Sequence, residues 1–158
     1  MSDHARAVFD AAHARGLMIA TAESCTGGMV AAALTDLAGS SAIFDRGFIT
    51  YSNAAKIEML DVDPALIETF GAVSEEVAAA MAIGAVAHSR AQIAVSISGI
   101  AGPGGSEFKP EGRVCFGVAC EWDVVTTETV EFGALGRGLV RLSAREHALT
   151  KLLHALGQ

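Results

Sequence analysis

The sequence predicts a three-layer α/β/α fold, with helices on both faces of a mixed, mostly parallel sheet and a C-terminal helix. Three observations carry that expectation. Short apolar runs with strand character alternate with segments of helical periodicity through the first hundred residues. Hydrophobic residues make up 51% of the chain and aromatics only 6%, with 17 glycines, so small side chains dominate and helices can pack closely on a sheet. Late in the chain, two alternating runs are separated by the short turn Glu121-Trp122-Asp123, which reads as a hairpin and brings antiparallel pairing into the sheet. The 158 residues, with no linker, repeat or low-complexity stretch, suit one domain over 1–158. A chain this long buries roughly 68–70% of its unfolded surface without staples.

Each element has a local cause. Ser2 caps a first helix whose apolar stripe is Ala5, Val8, Phe9 and Ala12, stopped by Gly16. A strand is expected at 18–21, then a helix over 27–38 ended by Gly39. The β-branched and aromatic run at 47–52 reads as a strand. Ser52 or Asn53 caps a short helix carrying Lys56, and Asp63-Pro64 starts another that Gly71 ends. Ser74 opens the clearest helix, with Glu75 and Glu76 in its first turn and Val77, Met81 and Ala85 on its stripe. Ile93, Val95 and Ile97 alternate with Ala94, Ser96 and Ser98, giving a strand with one bulky and one small face. A glycine loop at 99–105 follows, then strands around 114–120 and 124–132, then a closing helix over 139–156.

Composition narrows the function. The net charge is −7, with no basic run interleaved with aromatics, so nucleic acid is not an expected partner. No stretch approaches the ~20 apolar residues of a membrane span, and the start of the chain reads as an amphipathic helix rather than a signal peptide. Cys25, Cys115 and Cys120 have no zinc spacing, and any disulfide leaves one unpaired; they read as reduced thiols of a cytoplasmic protein. The five histidines are scattered, so neither a metal site nor a cofactor is expected.

Four polar clusters lie at element ends. The first, Thr21-Ala22-Glu23-Ser24-Cys25-Thr26-Gly27-Gly28, sits on a strand-to-helix turn. There backbone N–H groups can hold a phosphate or an oxyanion beside a nucleophile. The second is Gly39-Ser40-Ser41, then Thr50-Tyr51-Ser52-Asn53 and Lys56. The third is Ser96 to Gly105, and the fourth Arg137 with Arg141. Ligands of open α/β sheets bind beyond the carboxyl ends of parallel strands, and the first and third clusters each follow a predicted strand. Each feature also has a plain structural reading. Thr26 is a ready N-cap, Ser40 and Ser41 can begin a strand, and Tyr51 and Lys56 can be a half-buried aromatic and a surface lysine. The glycine loop can be only a turn, and Arg137 and Arg141 can be solvated.

Taken together and in order, these motifs resemble the CinA C-terminal domain family of nicotinamide-mononucleotide deamidases. The resemblance runs from the 21–28 motif through Gly39-Ser40-Ser41, Gly47-Phe48-Ile49-Thr50-Tyr51-Ser52-Asn53-x-x-Lys56 and Gly71-Ala72-Val73-Ser74. It continues through Ser96-Ile97-Ser98-Gly99-Ile100-Ala101-Gly102-Pro103 and Lys109-Pro110-x-Gly112-x-Val114, and covers about 5–155. One departure is Leu135-Gly136-Arg137 where the family often has Gly-Asp-Arg, so the arginine stays without its acidic neighbour.

The resemblance implies hydrolysis of the carboxamide of nicotinamide mononucleotide to the nicotinate mononucleotide and ammonia. It maps Ser24 or Ser41 as nucleophile, Lys56 as base and Tyr51 as their hydrogen-bond partner. Ser24 is preferred because a helix N-terminus beside it would supply oxyanion donors. Lys56 must be neutral to act, so desolvation or a nearby cation must lower its pKa. Glu23, Thr26, Gly27, Gly28, Ser98, Gly99, Ala101, Gly102 and Arg137 are the expected substrate-binding residues, the 99–105 loop and Arg137 holding the phosphate. The partner is a small nucleotide, and a homodimer is expected from the family and the apolar content. The family domain is often fused behind a nucleotide-pyrophosphatase domain that these residues do not resemble, so that activity is not expected of this chain. The competing reading is a catalytically silent nucleotide-binding module of a competence- or damage-inducible protein.

Overall fold

The computed structural model describes residues 1–158. Five strands form one sheet: β1 (Ile19–Glu23), β2 (Phe44–Ile49), β3 (Ile93–Gly99), β4 (Arg113–Cys120) and β5 (Asp123–Glu131). Six helices surround it: α1 (Asp3–Arg15), α2 (Met29–Thr35), α3 (Asn53–Leu60), α4 (Pro64–Phe70), α5 (Glu75–Ala87) and α6 (Arg137–Ala155). The strand order is β2-β1-β3-β4-β5. β1 pairs in parallel with both β2 and β3, while β3–β4 and β4–β5 are antiparallel. β1, β2, β3 and β5 therefore run one way and β4 alone runs back. The parallel character lies in strand direction, while two of the four pairings are antiparallel. Cys120 pairs with Asp123 across the two-residue turn, so the hairpin forms as expected.

The alternation in β3 sorts the two faces. Ile93, Val95 and Ile97 join Val8, Val30, Leu34, Phe116, Val140 and Leu149 in the core beneath α1, α2 and α6. Ala94, with Ala20 and Ala22 of β1, faces Leu60, Val77 and Met81 on the α3–α5 side. Small side chains there let α5 lie close. Ser96 Oγ donates to the Ala78 carbonyl, and a Cβ on Gly117 would sit 2.6 Å from that same oxygen.

Several element ends move from their expected places. The first strand runs on to Glu23, because its five residues are wholly buried between two parallel neighbours. α2 is shorter than 27–38: Gly27 (φ 59°) and Gly28 (φ 103°) are left-handed, which no α-helix accommodates. Thr26 is therefore not its N-cap; Gly28 is. The second strand is Phe44–Ile49 rather than 47–52, since Thr50 gives its last N–H to Glu23 and Ser52 already caps α3. Ser40 and Ser41 begin no strand and form a 3-10 turn, Ser40–Ala42. The final hairpin strand and α6 each start slightly early, at Asp123 and Arg137.

The topology sets where a ligand can enter. From β1 the chain crosses one face through α2 to reach β2 on one side. It then crosses the other face through α3–α5 to reach β3 on the opposite side. The strand order thus reverses around β1, and the crevice outside the carboxyl ends of β1 and β3 is a switch point of the doubly wound type.

Candidate active site

That crevice holds a cleft of about 370 Å³ lined by Ser24, Cys25, Tyr51, Asn53, Lys56 and the 98–106 segment, with Arg137 at its rim. Ser24 is the first residue after β1. Its N–H donates to Ile97 O at 2.9 Å, tying it to β3. Gly27 N–H closes the following turn on Ser24 O at 3.0 Å. Ser24 is 8% exposed and lines the cleft.

Lys56 enters from the other side. Ser52 caps α3 through the Ala55 N–H, which starts the helix three residues before Lys56 and turns its side chain inward. Lys56 is 1% exposed. Its Nζ lies 3.2 Å from Ser24 Oγ, 2.9 Å from Thr50 O and 3.4 Å from Tyr51 O. No carboxylate pairs with it. Burial therefore pulls its pKa below the ordinary lysine range. A neutral amine has two N–H bonds and one lone pair. With Thr50 O and Tyr51 O accepting those two hydrogens, a neutral Lys56 would turn its lone pair to Ser24 Oγ, which itself lies 3.4 Å from Tyr51 O. Cys25, next along, is no rival: burial pushes its thiol up to about 11, so it stays protonated at neutral pH.

Other expected residues take different positions. Ser41 is exposed in the turn before β2, whereas Tyr51 and Lys56 follow that strand. A six-residue strand spans about 20 Å, so Ser41 lies at the opposite end of the sheet and cannot meet Lys56. The Tyr51 phenol does not partner Ser24 or Lys56 either. Its main-chain carbonyl does, while its hydroxyl accepts from Arg137 Nη2 at 2.9 Å. Glu23 is wholly buried, and its carboxylate accepts from Val30 N–H (2.9 Å) and Ala31 N–H (3.0 Å). It is thus the cap of α2 rather than a ligand contact, and it uses the helix donors expected to serve an oxyanion. Thr26 is buried away from the cleft, and Ser98 Oγ is spent on Ala72 O at 2.7 Å.

Donors do remain. Cys25 N–H has no protein acceptor, and neither do those of Ala101, Gly102, Gly104 and Gly105. Arg137 Nη1 reaches over to Gly102 O at 2.8 Å, so this arginine bridges the loop to Tyr51 and is not a free surface side chain. A Cβ on Gly102 would collide with the Glu111 carboxylate, which keeps the loop close to β4's approach. Two residues that the sequence places in these clusters without a catalytic or substrate-binding role also reach the site. Asn53 lines the cleft one helical turn before Lys56, a spacing visible in the chain. Arg141 contacts the Ser24 turn from α6; its i,i+4 spacing from Arg137 was the signal.

A buried hydroxyl–amine pair at the switch point of an α/β sheet, beside a loop with open backbone donors, is equipped for acyl chemistry on a small anionic molecule. A family model for the CinA C-terminal domain matches residues 1–156, and the chain belongs to that family. It is 52% identical over 141 residues to the nicotinamide-nucleotide amidohydrolase PncC of Enterobacter agglomerans, covering 89% of this chain and 85% of that protein. Its likeness to PncC of Escherichia coli strain K12 is 52% over 146 residues, 92% of this chain and 88% of the relative. A CinA-like protein of Chlorobium phaeobacteroides strain BS1 is also 52% identical over 145 residues, a match spanning 34% of its length. Among solved structures, the competence/damage inducible protein CihA from Agrobacterium tumefaciens superposes with a TM-score of 0.93 at 47% identity, over 99% of this chain and 94% of that one. The fold is thus the mixed, five-stranded CinA sheet with helices on both sides.

Proposed function

We propose that this chain is a single catalytic domain that hydrolyses the carboxamide of nicotinamide mononucleotide, giving the nicotinate mononucleotide and ammonia. The observation that carries the mechanism is the Ser24 Oγ–Lys56 Nζ separation of 3.2 Å, with Lys56 buried and without a counterion. The substrate follows from relatives named nicotinamide-nucleotide amidohydrolase at 52% identity over most of both chains.

Neutral Lys56 takes the Ser24 proton as Oγ attacks the amide carbon. The tetrahedral oxyanion gathers at the unpartnered Cys25 N–H. Lys56 then returns the proton to the departing nitrogen, which leaves as ammonia, and Ser24 is left as an ester. A water, deprotonated by the same amine, cleaves that ester to the acid and restores Ser24. The substrate phosphate sits on the open amides of the 101–105 stretch with Arg137. The Glu111 carboxylate against Gly102 disfavours the dianion at that one position, so Gly104, Gly105 and Arg137 carry most of it. No helix is long and apolar enough to cross a membrane. Three free thiols suit a reducing, cytoplasmic setting, and exposed Ile49, Phe70, Phe108 and Leu139 offer apolar surface for a homodimer.

The test is ammonia release from nicotinamide mononucleotide by the purified chain, before and after exhaustive chelation. Turnover that survives chelation is expected. No ammonia at any substrate concentration overturns the substrate assignment. Loss on chelation with recovery on adding zinc overturns the metal-free mechanism.

A further inference from the structure

The turn that carries Ser24 is held by a side chain that does not line the cleft. Arg141 projects from the second turn of α6, and its Nε donates to Cys25 O at 2.9 Å. Its Nη2 donates to Thr26 O at 3.4 Å. The Cys25 carbonyl has no other partner, while that of Thr26 also accepts from Met29 N–H. Arg141 itself pairs with no carboxylate, so its charge is directed at these two carbonyls alone. The turn is built to admit it. A Cβ on Gly27 would lie 3.3 Å from Arg141 Nη2, and Gly27 is left-handed at φ 59°.

From these contacts we infer that Arg141 is a positioning residue: it fixes the Cys25–Thr26 peptides so that Ser24 Oγ and the Cys25 N–H keep the geometry acyl transfer needs. Planar trans peptides leave a turn little freedom once its carbonyls are pinned. Glu23 pins the first turn of α2, into which the Ser24 turn leads, through Val30 and Ala31 N–H. The Ser24 turn is therefore held by the Arg141 guanidinium on its carbonyls and by Gly27 N–H internally, and it leads into a helix start fixed by the buried Glu23 carboxylate. Removing the guanidinium frees the Cys25 carbonyl, lets that peptide rotate, and shifts the donors beside Ser24 without touching the phosphate loop. The inference rests on Ser24 as nucleophile.

Two readouts separate it from the substrate assignment. The first is kinetic. Arg141→Ala should lower kcat by about 10²-fold, the cost of a small misplacement of reacting groups. KM for nicotinamide mononucleotide should stay within a few-fold, and added guanidinium ion should recover part of kcat. Arg141→Lys, whose single ammonium cannot span both carbonyls, should fall between. The second readout needs no mononucleotide: the rate at which a fluorophosphonate probe modifies Ser24, followed by intact mass. It should drop in Arg141→Ala in step with kcat, and it reports on the turn even if the physiological amide is another one. An Arg141→Ala protein with parental kcat and parental Ser24 labelling overturns the inference, as does a variant whose only change is a lower Tm. A rise in KM alone also overturns it, because that marks a ligand contact.

Discussion

The two walls of the cleft are built in opposite ways. The 24–28 turn is anchored by Ile97 O, by Arg141 and by its own Gly27 N–H, and Glu23 fixes the start of α2 just beyond it. Ser24, Cys25 and Thr26 are all buried there. The 101–105 loop facing it has four backbone N–H groups without partners, and its outer residues are exposed. One wall is fixed by contacts to the rest of the fold and leaves only the Cys25 N–H open towards the cleft, while the other holds four donors in reserve. The difference matches a division of labour. Groups that must meet a reacting carbon within a fraction of an ångström need a fixed frame. Groups that grip a charged, remote part of a substrate need only open donors, which the ligand itself orders.

The largest expected effects lie on the anchored wall. Ser24→Ala should reduce kcat by about 10³-fold or more while mononucleotide binding, measured by calorimetry, persists. Lys56→Met should do the same to kcat. In the parent, kcat/KM should rise with pH as Lys56 loses its proton and level off below the ~10.4 of an ordinary lysine, because burial lowers its pKa. The same shift has a stability sign. Unfolded, Lys56 binds a proton that the folded protein sheds, so between the lowered folded pKa and ~10.4 folding releases protons and the parent gains stability as pH climbs. Denaturant melts of parent and Lys56→Met across that window should diverge in the parent's favour towards high pH. A flat difference together with a flat activity profile would mean that Lys56 is charged in the native state and is not the base.

The open wall should respond differently. Arg137→Ala removes a bridge from α6 to Gly102 O and Tyr51 Oη. It should raise KM for the mononucleotide roughly 10- to 150-fold, as expected for about 1.5–3 kcal/mol of charge-assisted hydrogen bonding. A contact made in ground and transition states alike leaves kcat nearly unchanged. Activity on the phosphate-free riboside should hardly move. Steady-state kinetics on the two substrates decide it: an equal loss on both would put Arg137 with the chemistry and erase the distinction between the walls.

Much of this was visible in the chain. The period-two pattern at 93–98 sorted both faces of β3 correctly, because bulky and small residues there face two different helix layers. Polar residues clustered after β1 and β3 marked the cleft, because both parallel strands deliver their following loops to the same edge of the sheet. What sequence could not supply was partnership. Glu23 caps a helix that begins six residues later, and a carboxylate reads the same whether it faces a ligand or an amide. Tyr51 contributes through a carbonyl, which every residue has, so its phenol was misassigned. Arg141 acts on main-chain oxygens of the 25–26 segment, more than a hundred residues away, and no side-chain pattern records that.

Ser41 supplies the smallest predicted effect and the sharpest test of placement. It sits in a motif as distinctive as that of Ser24, so motif strength ranks the two serines equally. Topology does not. Ser41 precedes β2 and Lys56 follows it, and Ile19 pairs with Phe44 at one end of the parallel pair while Glu23 pairs with Ile49 at the other. The chain therefore delivers Ser24 to the carboxyl edge and Ser41 to the amino edge of the same two strands. Ser41 is exposed, and its side chain makes no hydrogen bond. Ser41→Ala should leave kcat and KM within about twofold and Tm nearly unchanged, as for a surface substitution of that kind. A Ser41→Ala protein without activity, beside an active Ser24→Ala, would move the chemistry to the other edge of the sheet. It would also require Lys56, buried against Ser24, to serve some purpose other than deprotonating it.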